Sequence, residues 1–331
     1  MRIMFGTDQR TMNLRFSLVT IRFESQSPKF PVMKTMQNNS QPSWQDFYEM
    51  CKPRVVMLML LCTLVGMFLA TDSMVPFATL FFGLLGVALV SSSAAALNHL
   101  VDASVDAKMT RTHNRPVAQG RVSNFQGSVF VAATCTLGMA VLFIFINPLT
   151  AWLNLAAWVG YGVIYSIYLK RATSQNIVLG GLFGAAPPLF GWTAVTNSID
   201  GGGLLLVLII FVWTPPHFWA LAIDRIEEYK QVDIPMLPVT HGVAYTRLQI
   251  LLYTVILVLT TLLPYVIGMS NLLYLSSALV LGTGFLYWSI VTYLGKNPRA
   301  PLKTFRYSII YLTGLFGALL IDHYLMPLSY V

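Results

Sequence analysis

Charge is missing from this chain in blocks, and the blocks are long enough to cross a lipid bilayer. Between Val55 and Val101 the only acidic or basic side chains are Asp72 and His99. Two apolar runs flank the turn Thr71-Asp72-Ser73, and each reaches the ~20 residues that span a hydrocarbon core. Further runs near 125–146, 150–169, 176–197, 204–223, 246–268, 271–294 and 304–326 bring the total to nine. Within lipid a spanning segment must satisfy its own backbone N–H and C=O groups. The expected fold class is therefore an all-α polytopic membrane protein with nine transmembrane helices. Composition agrees: 56% of the 331 residues are apolar and 10% charged, against roughly 25% charged in soluble domains.

The net charge of +8 is a topology signal and calls for no nucleic-acid partner. Lysine and arginine fall in the N-terminal tail and after the second, fourth, sixth and eighth spans, whereas the loops at 71–74, 147–150, 197–203 and 269–271 have none. The positive-inside rule then places the N-terminus on the cytoplasmic (or matrix) side and the C-terminus outside. Residues 1–45 are a polar tail, basic at Arg2, Arg10, Arg15, Arg22, Lys29 and Lys34 and acidic only at Asp8 and Glu24. It lacks the apolar core of a signal peptide. Either it is a transit-like leader or the natural start lies at Met33 or Met36; it is expected to be poorly ordered, with the membrane domain occupying 46–331. Cys51, Cys62 and Cys135 have no ligand spacing.

The chemistry is concentrated in NHLVDASVDAKMTRTHNRP, residues 98–116. Asn98, Asp102 and Asp106 recur every four positions and so share one helix face. Arg111 and Arg115 follow with the same step. Carboxylates at a membrane border suit a magnesium ion, which takes one or two protein carboxylates and fills its octahedron with water and phosphate oxygens. Arginine forks match further phosphate oxygens. The alternative is a solvated helix end with ordinary salt bridges. A second acidic segment, Asp224, Glu227 and Glu228 beside Arg225 and Lys230, follows the sixth span and echoes the first four spans later. Two such segments facing one cavity supply metal ligands from opposite walls; alone, the second is only a wet loop. Lys170 and Arg171 end the fourth span, either as positive-inside anchors or closing over a diphosphate. Gly180, Gly181, Gly184, Pro187 and Pro188 in the fifth span, and Pro215 and Pro216 in the sixth, favour close approach and bending that leave room for a cavity. His217 lies within an apolar span, where an ionisable residue is functional by default; its rival explanation is a bond to a carbonyl freed by proline.

These motifs resemble the intramembrane prenyltransferases of the UbiA superfamily. MTRTHNRP (109–116), YLKRATSQNIVLGGLFGAAPPLFGW (168–192) and WTPPHFWALAIDRIEEYKQVDIPMLPVTHG (213–242) resemble its haem-farnesylating branch, and the likeness runs from about residue 44 onward. The resemblance implies a central cavity open to lipid and to the cytoplasmic side. It also implies transfer of a farnesyl group from farnesyl diphosphate to the 2-vinyl group of haem B, giving haem O. Carried over by position, Asn98, Asp102 and Asp106 hold the first magnesium, Arg111 and Arg115 the diphosphate, with Lys170 assisting. The superfamily's second signature is commonly DxxxD; here Glu228, then Asp224, stands in its place. Haem A synthase or a terminal oxidase assembly is an implied partner, and a bacterial inner membrane the expected location, with the mitochondrial inner membrane as the alternative. Two rivals are a quinone-precursor prenyltransferase acting on a 4-hydroxybenzoate-type ring and an ion-coupled secondary transporter, which needs its acids nearer the bilayer midplane.

Overall fold

The computed structural model describes residues 41–325 and is all-helical among them. The predicted disorder of the tail falls almost wholly outside the described residues. α1 (Trp44–Met50) starts behind Ser43, whose hydroxyl and backbone N–H both donate to Asp46 at 2.9 Å. α2 (Pro53–Leu69) begins with proline at its first turn, where a missing N–H costs nothing, and Lys52 ahead of it is left-handed at φ 50°. The two helices are bent by 52°.

α3 (Phe77–Asp106) is 30 residues long. α4 (Asn124–Phe145) opens on a capping box between Ser123 and Gln126. α5 (Pro148–Trp158) is capped by Asn147, which accepts from Thr150 N–H at 2.8 Å, and then widens into a π-helix over Val159–Leu169. α6 (Lys170–Ala172) closes that span. The fifth span is broken into α7 (Asn176–Gly184) and α8 (Pro187–Thr196), because Pro187 and Pro188 cannot continue the hydrogen-bond ladder. By contrast α9 (Gly201–Asp224) continues as one helix through Pro215 and Pro216, so of the two proline pairs expected to bend their spans only one interrupts its helix.

Short α10 (Ile226–Lys230) and α11 (Leu237–Thr240) carry the chain to α12 (Gly242–Thr260) and α13 (Leu263–Val266). α14 (Leu272–Leu294) and α15 (Ala300–Leu325) complete the bundle. Among the described residues eight helices are long and apolar enough to span, nine when α1–α2 counts as one. The backbones of α2 and α8 touch. A Cβ on Gly66 would overlap the Pro188 carbonyl, and one on Gly191 would overlap the Thr63 carbonyl. The largest core joins α2, α9, α12, α14 and α15 around Leu206, Ile209, Tyr274, Phe285 and Tyr311.

Candidate active site

α3 delivers three polar side chains into the protein instead of into water. Asn98, Asp102 and Asp106 are 5%, 1% and 4% exposed, and all three line one cavity of about 180 Å³. The shared face expected from the four-residue step is therefore present. Each side chain is met by a cation from a different part of the chain. Lys52 Nζ donates to Asn98 Oδ1 at 2.5 Å. Lys170 Nζ donates to Asp102 Oδ2 at 2.7 Å, and Arg115 Nη1 to Asp106 Oδ2 at 2.6 Å. Asn98 Nδ2 donates to Asp102 Oδ2 at 2.9 Å and to Ser166 Oγ at 3.1 Å. One oxygen is left over: Asp102 Oδ1 is buried and accepts no hydrogen bond. Arg171 approaches it only to 4.0 Å and is otherwise exposed. A buried carboxylate oxygen without a donor is costly, and such a vacancy in an oxygen-only donor set fits a hard cation such as magnesium.

The rest of the lining divides into cations and aromatics. Arg111 joins Arg115, Lys52 and Lys170, so four cations face two carboxylates. That surplus of positive charge suits a polyanion. Tyr161 and Tyr165 stack at 5.5 Å on the π-helical segment, and Phe218 and Tyr229 close the wall with Met109, Ile177, Ile234 and Met236. In the π-helix Ser166 Oγ donates to the Tyr161 carbonyl five residues earlier at 2.9 Å. The wider turn sets Tyr161, Tyr165 and Lys170 along one wall, and such segments are frequent at functional sites. Burial pushes the Tyr229 phenol above its ordinary range, against the pull of Arg111 and Arg225.

The loop carrying Arg111 and Arg115 is anchored at both ends. Thr112 Oγ1 donates to the Asp106 carbonyl at 3.2 Å. Arg121 Nη2 donates to the Asn114 carbonyl at 2.7 Å while its Nη1 reaches buried Asp46 on α1 at 2.5 Å. The interfacial helix is thus a brace for the basic loop.

The second acidic segment is placed differently. Asp224 is exposed at the end of α9, Glu227 pairs with Lys230 at 2.9 Å in the open, and Glu228 pairs with Arg225 at 3.0 Å. None of the three lines the cavity; their neighbour Tyr229 does. Glu228 Oε2 is nevertheless buried without a partner. Among the described residues no three His, Cys, Asp or Glu side chains converge on one point, so the donors facing the cavity are the α3 amide and its two acids.

His217 lies on α9, 7% exposed, stacked on Trp213 at 4.1 Å with Phe305 at 4.6 Å. Its Nδ1 meets Ser308 Oγ at 2.6 Å, not a carbonyl freed by proline. Phe218, whose ring centroid is 4.8 Å away, lines the cavity. His323 is at the far end of α15, near Thr71 and Asp72. Lys52, Tyr161, Tyr165 and Tyr229 were given no role in the sequence reading. A lysine before a proline at a helix start reads as a membrane-border anchor, and nothing local shows that its ammonium turns inward.

Residues 59–315 match the sequence profile of the UbiA prenyltransferase family. The chain is 57% identical over 297 residues to a protein named protoheme IX farnesyltransferase from Saccharophagus degradans, covering 90% of this chain and 98% of that one. It is 58% identical to protoheme IX farnesyltransferase 1 of Pseudomonas putida strain W619, covering 89% and 99%. The chain belongs to the UbiA prenyltransferase family. It is a membrane-embedded prenyltransferase, and solved structures share its fold. A digeranylgeranylglyceryl phosphate synthase aligns with a TM-score of 0.74 at 16% identity, over 85% of this chain and 99% of that one. A UbiA homolog from Archaeoglobus fulgidus bound to GPP and Mg2+ aligns with a TM-score of 0.60 at 16% identity, over 83% and 99%. The transporter expected as a rival is thereby set aside for a prenyltransferase.

Proposed function

We propose that this prenyltransferase moves the farnesyl group of farnesyl diphosphate onto the 2-vinyl group of haem B, giving haem O and diphosphate. The observation that carries the reading is the unpartnered, buried Oδ1 of Asp102 inside a ring of cations. The names of the relatives at 57% and 58% identity support the choice of substrates.

Asn98, Asp102 and Asp106 would hold one magnesium ion, and Glu228, with Asp224 next, a second; Glu227 is tied to Lys230. When bound, the metal neutralises diphosphate and makes it a better leaving group. The chain's own cations have a double use. Lys52, Lys170 and Arg115 hydrogen-bond the α3 side chains, and the same ammonium and guanidinium groups, with Arg111 and Arg171, would hold phosphate oxygens of the substrate. As the C1–O bond breaks, the electron pair leaves with diphosphate, and the allylic cation lies among Tyr161, Tyr165 and Phe218, whose ring faces attract positive charge. Their apolar neighbours Ile177, Ile234 and Met236 restrict water. The vinyl group forms the new C–C bond, and water adds to the resulting cation with loss of a proton. His217 serves the haem side of the reaction.

The N-terminus faces the cytoplasm and the C-terminus the opposite side, in a bacterial inner membrane, with residues 1–45 outside the catalytic domain. The product passes to haem A synthase or a terminal oxidase assembly. The test is mass analysis of haems formed by purified protein in detergent with farnesyl diphosphate and magnesium. Haem O from haem B is expected. Prenylation of 4-hydroxybenzoate, with haem B unchanged, overturns the choice of acceptor.

A further inference from the structure

We propose that Ser308 is a positioning residue: it holds His217 in the tautomer with hydrogen on Nδ1, so that Nε2 presents its lone pair to the iron of a tetrapyrrole. This rests on the haem-acceptor reading above and names the group that grips the acceptor's metal.

A hydroxyl has one hydrogen to give. Ser308 Oγ lies 2.7 Å from the carbonyl oxygen of Phe305, one turn earlier on α15, and 2.6 Å from His217 Nδ1. The carbonyl can only accept, so the serine hydrogen goes to it. The second contact is then satisfied only if Nδ1–H donates to the serine oxygen. Ser308 is 0% exposed, which keeps water from offering another partner. Trp213 Nε1 donates to the Ser308 carbonyl at 2.8 Å, so α9 and α15 are fastened at the level of the imidazole. Trp213 stacks on the ring and Phe305 lies tilted against it, which fixes its plane.

In a neutral imidazole with hydrogen on Nδ1, Nε2 is the acceptor. Among the described residues it has no hydrogen-bond partner. A histidine whose inner N–H is held by a fixed acceptor while the outer nitrogen is free is the arrangement of a metal-ligating histidine. The level is also suitable. His217 precedes Asp224 by two turns of α9, about 10 Å deeper into the bundle, and the cavity-lining Phe218 adjoins it. A reacting vinyl group sits on the rim of a macrocycle, several ångströms from its metal, so the iron ligand and the diphosphate site belong at different depths.

The experiment is titration of ferrous haem B into the full chain in detergent, followed by the Soret band and the iron–histidine stretch in resonance Raman. Metal-free protoporphyrin IX and a non-hydrolysable farnesyl diphosphate analogue serve as controls. His217→Ala abolishes the iron–histidine band. Ser308→Ala weakens haem binding about tenfold, as loss of a ligand-orienting partner does, and moves the stretch, whereas Ser308→Thr restores both. Binding of the metal-free porphyrin and of the analogue stays as in the wild type. The proposal is overturned if Ser308→Ala matches wild type in affinity and stretch, if Ser308→Thr is no better than alanine, or if Ser308→Ala also loses the analogue. A wild-type chain that prenylates 4-hydroxybenzoate and binds no haem overturns the acceptor reading itself.

Discussion

The two acidic segments look alike in the sequence and are unlike in space. Both follow an even-numbered span, and both mix carboxylates with arginine and lysine. The α3 acids are buried and bonded to cations 9 and 68 positions away, while after α9 Glu227 and Glu228 pair with cations three positions away, Glu227 in the open and Glu228 partly covered. A pair made within one turn needs no particular fold to exist, and exposed pairs of this kind contribute about 0–1 kcal/mol. A pair between α3 and the fourth span exists only in the folded bundle. The distinction separates charge that organises a site from charge that keeps a loop wet.

Five single substitutions and one charge reversal test that contrast, the largest effect first. Asp102→Ala removes a buried α3 oxygen without a donor, and turnover should fall by about 10³-fold with normal membrane insertion, read as haem O yield per inserted protein. Activity near wild type would erase the difference between the segments. Arg115→Ala should cost about 10²-fold and weaken retention of farnesyl diphosphate, measured by equilibrium binding of the analogue. Glu228→Gln against Glu227→Gln sharpens the second segment from within. The former should lower kcat about tenfold and raise the magnesium requirement; the latter, in its exposed pair, should change either by less than about threefold. An equal effect of the two would place the second ligand elsewhere. Last, Arg121→Ala should slow turnover about fivefold through loss of the α1 brace, and the reversed pair Asp46→Arg with Arg121→Asp should recover part of it.

The spans were legible because lipid imposes a minimum apolar length that a sequence displays directly. The common face of Asn98, Asp102 and Asp106 was legible for a similar reason, since a fixed helical step needs no tertiary information. Lys52 was not, because its partner is 46 positions away and its own surroundings resemble a membrane anchor. The π-helical turn was equally hidden. Val159–Leu169 has ordinary apolar composition, and the register shift shows only in the bond from Ser166 to Tyr161. The brace from Asp46 to Arg121 and the contact from His217 to Ser308, 75 and 91 positions apart, belong to the same category. In α9 the double proline, which suggested a bend, leaves the helix continuous.

The length of α3 has a consequence for how the two products part company. Thirty residues of helix extend about 45 Å, well beyond a hydrocarbon layer of about 30 Å. A helix of that length has room to carry its carboxylate end past the oil and into the headgroup layer. An isoprenoid docked there keeps the posture it already has in a leaflet, its pyrophosphate toward water and its tail toward the acyl chains. On the proposed reaction each half would then already be in the phase it prefers: the mineral anion next to water, the enlarged apolar product among acyl chains.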